Sequence, residues 1–184
     1  MKSVCVYCGS SAGRRESHSD AVFDLARSLV ARGLSLVYGG ASIGIMGMIA
    51  DAVLERGGKV VGVIPEALLR KEVVHDGLTE LHVTGSMQER KSRMAELSDG
   101  FIALPGGIGT FEEIFEVWSW ARLGFHSKPC GLLNIQGYYD HLARFLDHAV
   151  EEAYIQPRFR DMLMVENEPG VLLDRFQSYR PSGA

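Results

Sequence analysis

Short apolar runs alternate along this chain with longer amphipathic segments, and few folds accept that pattern. The runs are Ser3–Tyr7, Ser35–Tyr38, Lys59–Ile64, Gly100–Leu104 and Pro129–Leu133. Each is rich in Val, Ile, Leu or Cys, which predicts strands buried on both faces of a parallel sheet. Between them the sequence predicts helices over Asp20–Arg32, Ile45–Arg56, Met87–Leu97, Phe111–Leu123 and Tyr138–Glu152, with a last one over Pro169–Tyr179. In the first of these, Val22, Leu25, Ala26, Leu29 and Val30 fall on one stripe at the helical period. Strand–helix alternation of this kind gives an α/β fold with a doubly wound parallel sheet. The 184 residues suit a single domain, 1–184, long enough to bury a core.

Several function classes drop out. No apolar run approaches the roughly 20 residues of a membrane span. The start, Met1-Lys2-Ser3-Val4-Cys5, enters strand-like sequence without the features of a secretory leader, so a cytoplasmic protein is expected. A net charge of −4 gives no general pull toward nucleic acid or acidic membranes, and neither is expected as a partner. Cys5 and Cys8 form a C-x-x-C, but at the end of a central strand with no second pair they read as structural. The histidines show no metal-site spacing, and no metal is expected. No Gly-x-Ser-x-Gly elbow occurs, which argues against a serine hydrolase.

Glycine loops follow three of the strands: Gly9-Ser10-Ser11, Gly39-Gly40-Ala41-Ser42-Ile43-Gly44, and Gly106-Gly107-Ile108-Gly109-Thr110. In a doubly wound sheet these strand ends are where ligands bind. The third loop matters most. Glycines let backbone N–H groups converge on an anion, and the start of a helix adds unpaired donors and partial positive charge. Such a turn suits a phosphate. No G-x-G-x-x-G and no Gly-Lys-Ser/Thr occurs, so a single phosphate fits better than a dinucleotide or triphosphate. Tight turning alone could account for the Gly39 loop. Two carboxylates follow, Glu112 and Glu113. Thr110-Phe111-Glu112-Glu113 fits a capping box with Thr110 as N-cap, which would explain Glu113 structurally. A bound phosphate would compete for the same donors.

Ser86-Met87-Gln88-Glu89 also fits a capping box, so a helix is expected to start near Met87. It carries Arg90, Lys91 and Arg93 within four positions, cations that repel one another unless an anion lies close. A solvated basic face would account for them equally well. Phe115, Trp118, Trp120 and Phe125 read as core or subunit interface, with a wall for a flat base as the alternative.

Two of these segments together resemble the LONELY GUY (LOG) family. Pro105-Gly106-Gly107-Ile108-Gly109-Thr110-Phe111-Glu112-Glu113 is similar to its P-G-G-x-G-T-x-x-E signature, and Met87-x-x-Arg90-Lys91-x-x-Met94 is similar to its second motif. Val6-Tyr7-Cys8-Gly9-Ser10-Ser11, the Tyr38-Gly39-Gly40 loop with Gly44, Met46 and Gly47, and Trp120-Ala121-Arg122-Leu123-Gly124 with Lys128-Pro129 resemble it too. The likeness runs to about Asn134 and weakens beyond. It implies a Rossmann-like subunit that forms a homodimer, or a hexamer, with sites near the interface. It implies a phosphoribohydrolase that splits cytokinin riboside 5′-monophosphates into free base and ribose 5-phosphate without a cofactor. By position, Arg90 and Glu113 are the catalytic candidates. Glu72, Arg90, Lys91, Gly106, Gly107, Ile108, Gly109, Thr110, Phe111 and Glu112 would bind the nucleoside 5′-monophosphate, with Ser10, Gly39 and Gly40 from the other loops. Ser86 and Gln88 stand where many members carry Asp and His.

The chemistry of the residues agrees with that implication. Cleaving an N-glycosidic bond builds positive charge on the ribose, as in other glycosyl transfers. A carboxylate near the anomeric carbon stabilises that charge and orients water. Two other readings stay open: a broader nucleoside-monophosphate glycosidase, and a non-catalytic carrier of molybdenum cofactor, whose fold and glycine turn look alike. Members of the family have also been labelled lysine decarboxylases. That label needs a pyridoxal Schiff base, for which only Lys91 is placed near the expected site.

Overall fold

In the computed structural model, which describes residues 1–11, 13, 17–69 and 74–180, seven parallel strands form one sheet in the order β4-β3-β2-β1-β5-β6-β7. The strands are β1 Ser3–Tyr7, β2 Ser35–Tyr38, β3 Val60–Pro65, β4 Glu80–Thr84, β5 Phe101–Ala103, β6 Cys130–Leu133 and β7 Leu163–Glu166. The helices are α1 Ser17–Ala31, α2 Gly44–Leu54, α3 Glu66–Leu69, α4 Met87–Glu96, α5 Ile108–Arg122, α6 Asp140–Glu151, α7 Pro157–Arg160 and α8 Pro169–Ser178, with a 3-10 turn at Ile135–Gly137. The expected α/β fold with a doubly wound parallel sheet is what forms.

The strands alternate their side chains between two cores. Val4, Val6, Leu36, Tyr38, Ile102 and Leu104 face α1, α2 and α8. Cys5, Tyr7, Val37, Phe101 and Ala103 face α4, α5 and α6. Burial on both faces explains why these runs carry no polar alternation. The sequence reading missed two strands, β4 and β7, and both are edges. In β4 (Glu80-Leu81-His82-Val83-Thr84) only Thr84 is buried, so it has no apolar run to detect.

Both central strands meet at the place where the chain reverses direction across the sheet. From β1 it winds outward through β2, β3 and β4, then returns to add β5 on the other side of β1. The loops leaving β1 and β5 therefore part at their carboxyl ends and leave a crevice, the position at which doubly wound sheets bind ligands. No described helix is long and apolar enough to cross a membrane. Cys5 and Cys8 are free thiols, and among the described residues no cluster of His, Cys, Asp and Glu could hold a metal ion.

Candidate active site

The crevice between β1 and β5 is a cleft of about 250 Å³. Its lining includes Tyr7 at the end of β1, Cys8, Gly9 and Ser10 after it, Gly39 after β2, Met46 of α2, Arg90 of α4, and Gly107, Ile108, Gly109, Thr110 and Glu113 from the third glycine loop and α5. A larger cavity of about 550 Å³ lies apart, between α1 and the turn after β6, and holds none of the candidate residues. The smaller cleft is the candidate site because the acid, the buried cation and the glycine turn converge there.

α5 starts earlier than the capping box implied. Its N-cap is Gly107, whose carbonyl accepts from the Phe111 N–H at 3.1 Å. Thr110 lies within the first helical turn, buried against Gly106: a Cβ at Gly106 would stand 2.1 Å from its Oγ1. The capping-box reading of Thr110 and Glu113 is thereby corrected. Two consequences follow. Ile108, Gly109 and Thr110 present the unpartnered N–H groups of the helix start. The first turn holds no acid, and Glu113 comes from the second turn, facing inward rather than folding back on the cap.

The glycines separate into two kinds. A Cβ at Gly39 would meet Arg90 Nη2 at 2.2 Å, and one at Gly44 would meet the Ser10 backbone at 2.3 Å. These residues are glycine because the protein itself fills the space. Gly40 has φ +83°, sits against Ile64 and Leu81, and is set back from the cleft. Gly107 and Gly109 are different: nothing lies within 4 Å of a Cβ at either, and neither has a left-handed φ. Both line the cleft, and Gly107 also lines the hollow beside it. A ligand that approaches the main chain closely supplies the missing reason for glycine there.

The cations of α4 each find their own partner. Ser86 caps the helix, accepting from the Glu89 N–H, as the sequence suggested. Arg90 is buried; its Nε donates to Val63 O at 3.0 Å and its Nη2 to Gly39 O at 3.3 Å. Nη1 lies 3.6 Å from Glu113 Oε1, with the two side chains only 8% and 13% exposed. Lys91 Nζ donates to Glu112 Oε1 at 2.5 Å and to Glu116 Oε1 at 3.0 Å. Arg93 pairs with Glu96 at the surface. The repulsion expected in this cluster is thus relieved by the chain's own acids and carbonyls.

Burial pushes the Glu113 pKa up from 4.5 to about 7; Arg90 pulls it down and Glu112 adds to the rise. Glu113 therefore changes charge near neutrality, the range suited to moving a proton. Glu112, half exposed and bound to Lys91, lies outside the cleft lining, as does Phe111, which packs edge-on against Tyr139. Gly106 lines an adjoining apolar hollow of about 240 Å³ with Tyr138. Glu72 lies outside the described residues. Trp118 is largely core, its Nε1 donating to Phe159 O at 2.9 Å, and with Phe115 it walls a separate cavity away from the glycine turn.

Sequence reasoning missed the loop after β6. Tyr138 donates to Gly106 O and Tyr139 to Leu104 O, so two adjacent hydroxyls grip the segment that carries the glycines. Asn134 holds the loop in turn, accepting from the Tyr139 N–H and donating to Asp140. A doublet of tyrosines was the one available signal, and nothing local tied it to a turn some thirty positions upstream.

The fold and cleft define a Rossmann-like α/β protein with a glycine turn at a helix start beside a buried acid–cation pair. Residues 46–176 match the family model described as "Possible lysine decarboxylase". Over 181 residues the chain is 50% identical to the cytokinin riboside 5′-monophosphate phosphoribohydrolase LOG5 of Arabidopsis thaliana, covering 98% of this chain and 79% of that protein. It is 49% identical to the probable cytokinin riboside 5′-monophosphate phosphoribohydrolase LOGL9 of Oryza sativa subsp. japonica, covering 98% and 80%. The chain belongs to the LONELY GUY family. Among solved structures, its fold resembles the molybdenum cofactor carrier protein of Chlamydomonas reinhardtii (TM-score 0.71, 22% identity, 97% of this chain and 99% of that one). It also resembles TM1055 (TM-score 0.73, 24% identity, 97% and 100%). At these identities the likeness concerns the fold alone.

The description of the family model raises pyridoxal phosphate, which reacts as a Schiff base with a lysine. The described lysine beside the cleft is Lys91. Burial works to lower its pKa, but the hydrogen bonds it donates to Glu112 and Glu116 outweigh it and hold the ammonium charged. A Schiff base needs the neutral amine, so the residues do not fit that cofactor and no step is derived through it.

Proposed function

We propose that this protein hydrolyses the N-glycosidic bond of cytokinin riboside 5′-monophosphates, that is, N6-modified AMP, and releases free base and ribose 5-phosphate. The observation that carries this reading is the Arg90–Glu113 pair, buried at 3.6 Å in a cleft that also contains the turn. The names of the plant relatives support it.

The phosphate sits over Gly107 and Gly109, held by the N–H groups of the helix start and by Ser10 and Thr110. This fixes the far end of the substrate and positions the reacting bond. Ionised Glu113 faces the anomeric carbon. As the bond from that carbon to the base breaks, its electron pair leaves with the base and the ribose becomes positive. Glu113 stabilises that charge and takes a proton from the water that attacks the same carbon; that proton then passes to the departing base, which leaves neutral, and Glu113 is ionised again. Arg90 stabilises the negative charge developing on the base or carried by the phosphate. Lys91 and Glu112, next to the cleft-lining Arg90 and Glu113, reach the ribose hydroxyls.

The cleft is smaller than the roughly 300 Å³ at which small-molecule sites begin. Ile108 stands beside it 86% exposed, an unusual position for a large apolar side chain. A second copy of the chain that covers Ile108 and extends the wall accounts for both, so the active form is a homodimer. The free thiols suit a reducing compartment, the cytoplasm.

Chromatography of products from isopentenyl-AMP, AMP, CMP and the matching nucleosides tests the reading. Release of base from isopentenyl-AMP and not from its dephosphorylated nucleoside is expected. Equal rates on AMP and CMP would move the assignment to a general salvage glycosidase. A co-purified pterin with no hydrolysis would make the protein a carrier.

A further inference from the structure

The glycine turn can hold an anion only if its peptide planes face the right way. The peptide between Gly106 and Gly107 is the least secure of them, because neither flanking residue has a Cβ to hinder its rotation. In a trans peptide the carbonyl and the following N–H point in opposite directions. Whatever holds the Gly106 carbonyl therefore aims the Gly107 N–H.

That carbonyl accepts from the Tyr138 hydroxyl at 2.5 Å. Tyr138 and Gly106 line the apolar hollow and not the cleft, Ile108, Gly109 and Thr110 line the cleft and not the hollow, and Gly107 lines both, so the Gly106–Gly107 peptide stands between the two. With its carbonyl drawn to the hollow, this peptide turns its N–H to the cleft. The neighbouring planes are held as well. Pro105 O accepts from the Gly9 N–H at 3.3 Å, and Leu104 O from Tyr139 at 2.6 Å. The Tyr139 bond cannot aim a donor, because the next residue is Pro105, which has no N–H. Of the two tyrosines, only Tyr138 sits behind a donor that faces the cleft.

We propose that Tyr138 is a positioning residue for the phosphate: its hydroxyl locks the Gly106–Gly107 peptide so that the Gly107 N–H points at the anion. The hydrogen bond also polarises the peptide and makes that N–H a stronger donor. The inference rests on the reading that the turn binds a phosphate ester.

Tyr138→Phe removes the hydroxyl and leaves the ring. Because the side chain is 40% exposed, the variant is expected to fold and melt close to the wild type. The loss of one such bond should raise the Kd for ribose 5-phosphate, measured by calorimetry, about three- to tenfold. The KM for isopentenyl-AMP should rise by the same factor with kcat little changed. Tyr139→Phe is the comparison: it should lower the melting temperature more and the ribose 5-phosphate affinity less. An unchanged Kd and KM in Tyr138→Phe would overturn the proposal, and so would a larger affinity loss in Tyr139→Phe. Should the wild type bind ribose 5-phosphate yet hydrolyse no nucleotide, the hydrolase reading falls and the Kd comparison still decides the role of Tyr138. Should it bind no phosphate ester, both fall together.

Discussion

Replacing Glu113 by Gln separates what the carboxylate does for the reaction from what it does to the fold. The folded protein raises the pKa of this group from 4.5 to about 7, chiefly by burial. Its folded value lies above its unfolded one, so the folded state holds its proton more tightly. The stability linked to it is full below pH 4.5 and is lost as the pH rises to about 7. The gap between the two values corresponds to roughly 3 kcal/mol. Gln carries no charge and has no such slope. Packing an amide beside Arg90 adds an offset, but one that does not vary with pH. Between pH 5 and pH 8 the stability of the variant should therefore gain on the wild type by roughly 2–3 kcal/mol. In a chain of this length that is about 4–12 °C in melting temperature. The same variant should lose at least about 100-fold in turnover, the low end of what a positioned proton-transfer group contributes. Melting curves at both pH values with product chromatography read out the two effects. Parallel pH dependence of wild type and variant would refute the claim that Glu113 is the buried titrating acid. Retained turnover would refute its role.

Other consequences are equally direct. If the ionised form of Glu113 acts, kcat/KM should climb with pH and level off above about 7, and a flat profile from pH 6 to 8 would count against it. Gly109→Ala places a methyl group in empty cleft and removes a helical glycine, so it should stabilise the fold by about 1 kcal/mol while weakening binding of ribose 5-phosphate. Calorimetry with a urea titration tests both signs. Arg90→Lys should not rescue the loss caused by Arg90→Ala, because a point ammonium cannot meet Val63 O, Gly39 O and Glu113 as the planar guanidinium does; steady-state assays of the pair decide it.

The legible parts of this protein were local. Apolar runs buried on both faces announced β1, β2, β3, β5 and β6, and a stripe at the helical period announced α1. The chain from Gly106 to Glu113 could be read as strand end, glycine turn and helix start because backbone freedom and helix-end charge act over a few residues. The edge strand β4 escaped because an edge need not be apolar, whereas β7 is apolar at Leu163, Met164 and Val165 but is only four residues long. The cap of α5 was misplaced by three residues. Thr110 and Glu113 have the right spacing for a box, but the contact of Thr110 with Gly106 pulls the helix start back to Gly107.

Sequence alone thus determined the layered α/β architecture, the strand ends where a ligand would lie, and which acids and cations to watch. Only the tertiary structure decided which of them meet. Arg90 reaches the carbonyl of Gly39, 51 positions away, and Tyr138 reaches that of Gly106, 32 positions away. The pKa of Glu113 is likewise a property of the closed cleft, since burial and the placing of Arg90 and Glu112 set it. Periodicity and turn chemistry act between neighbours in the chain, while desolvation and charge pairing act between neighbours in space, and those exist only once the sheet has brought its strand ends together.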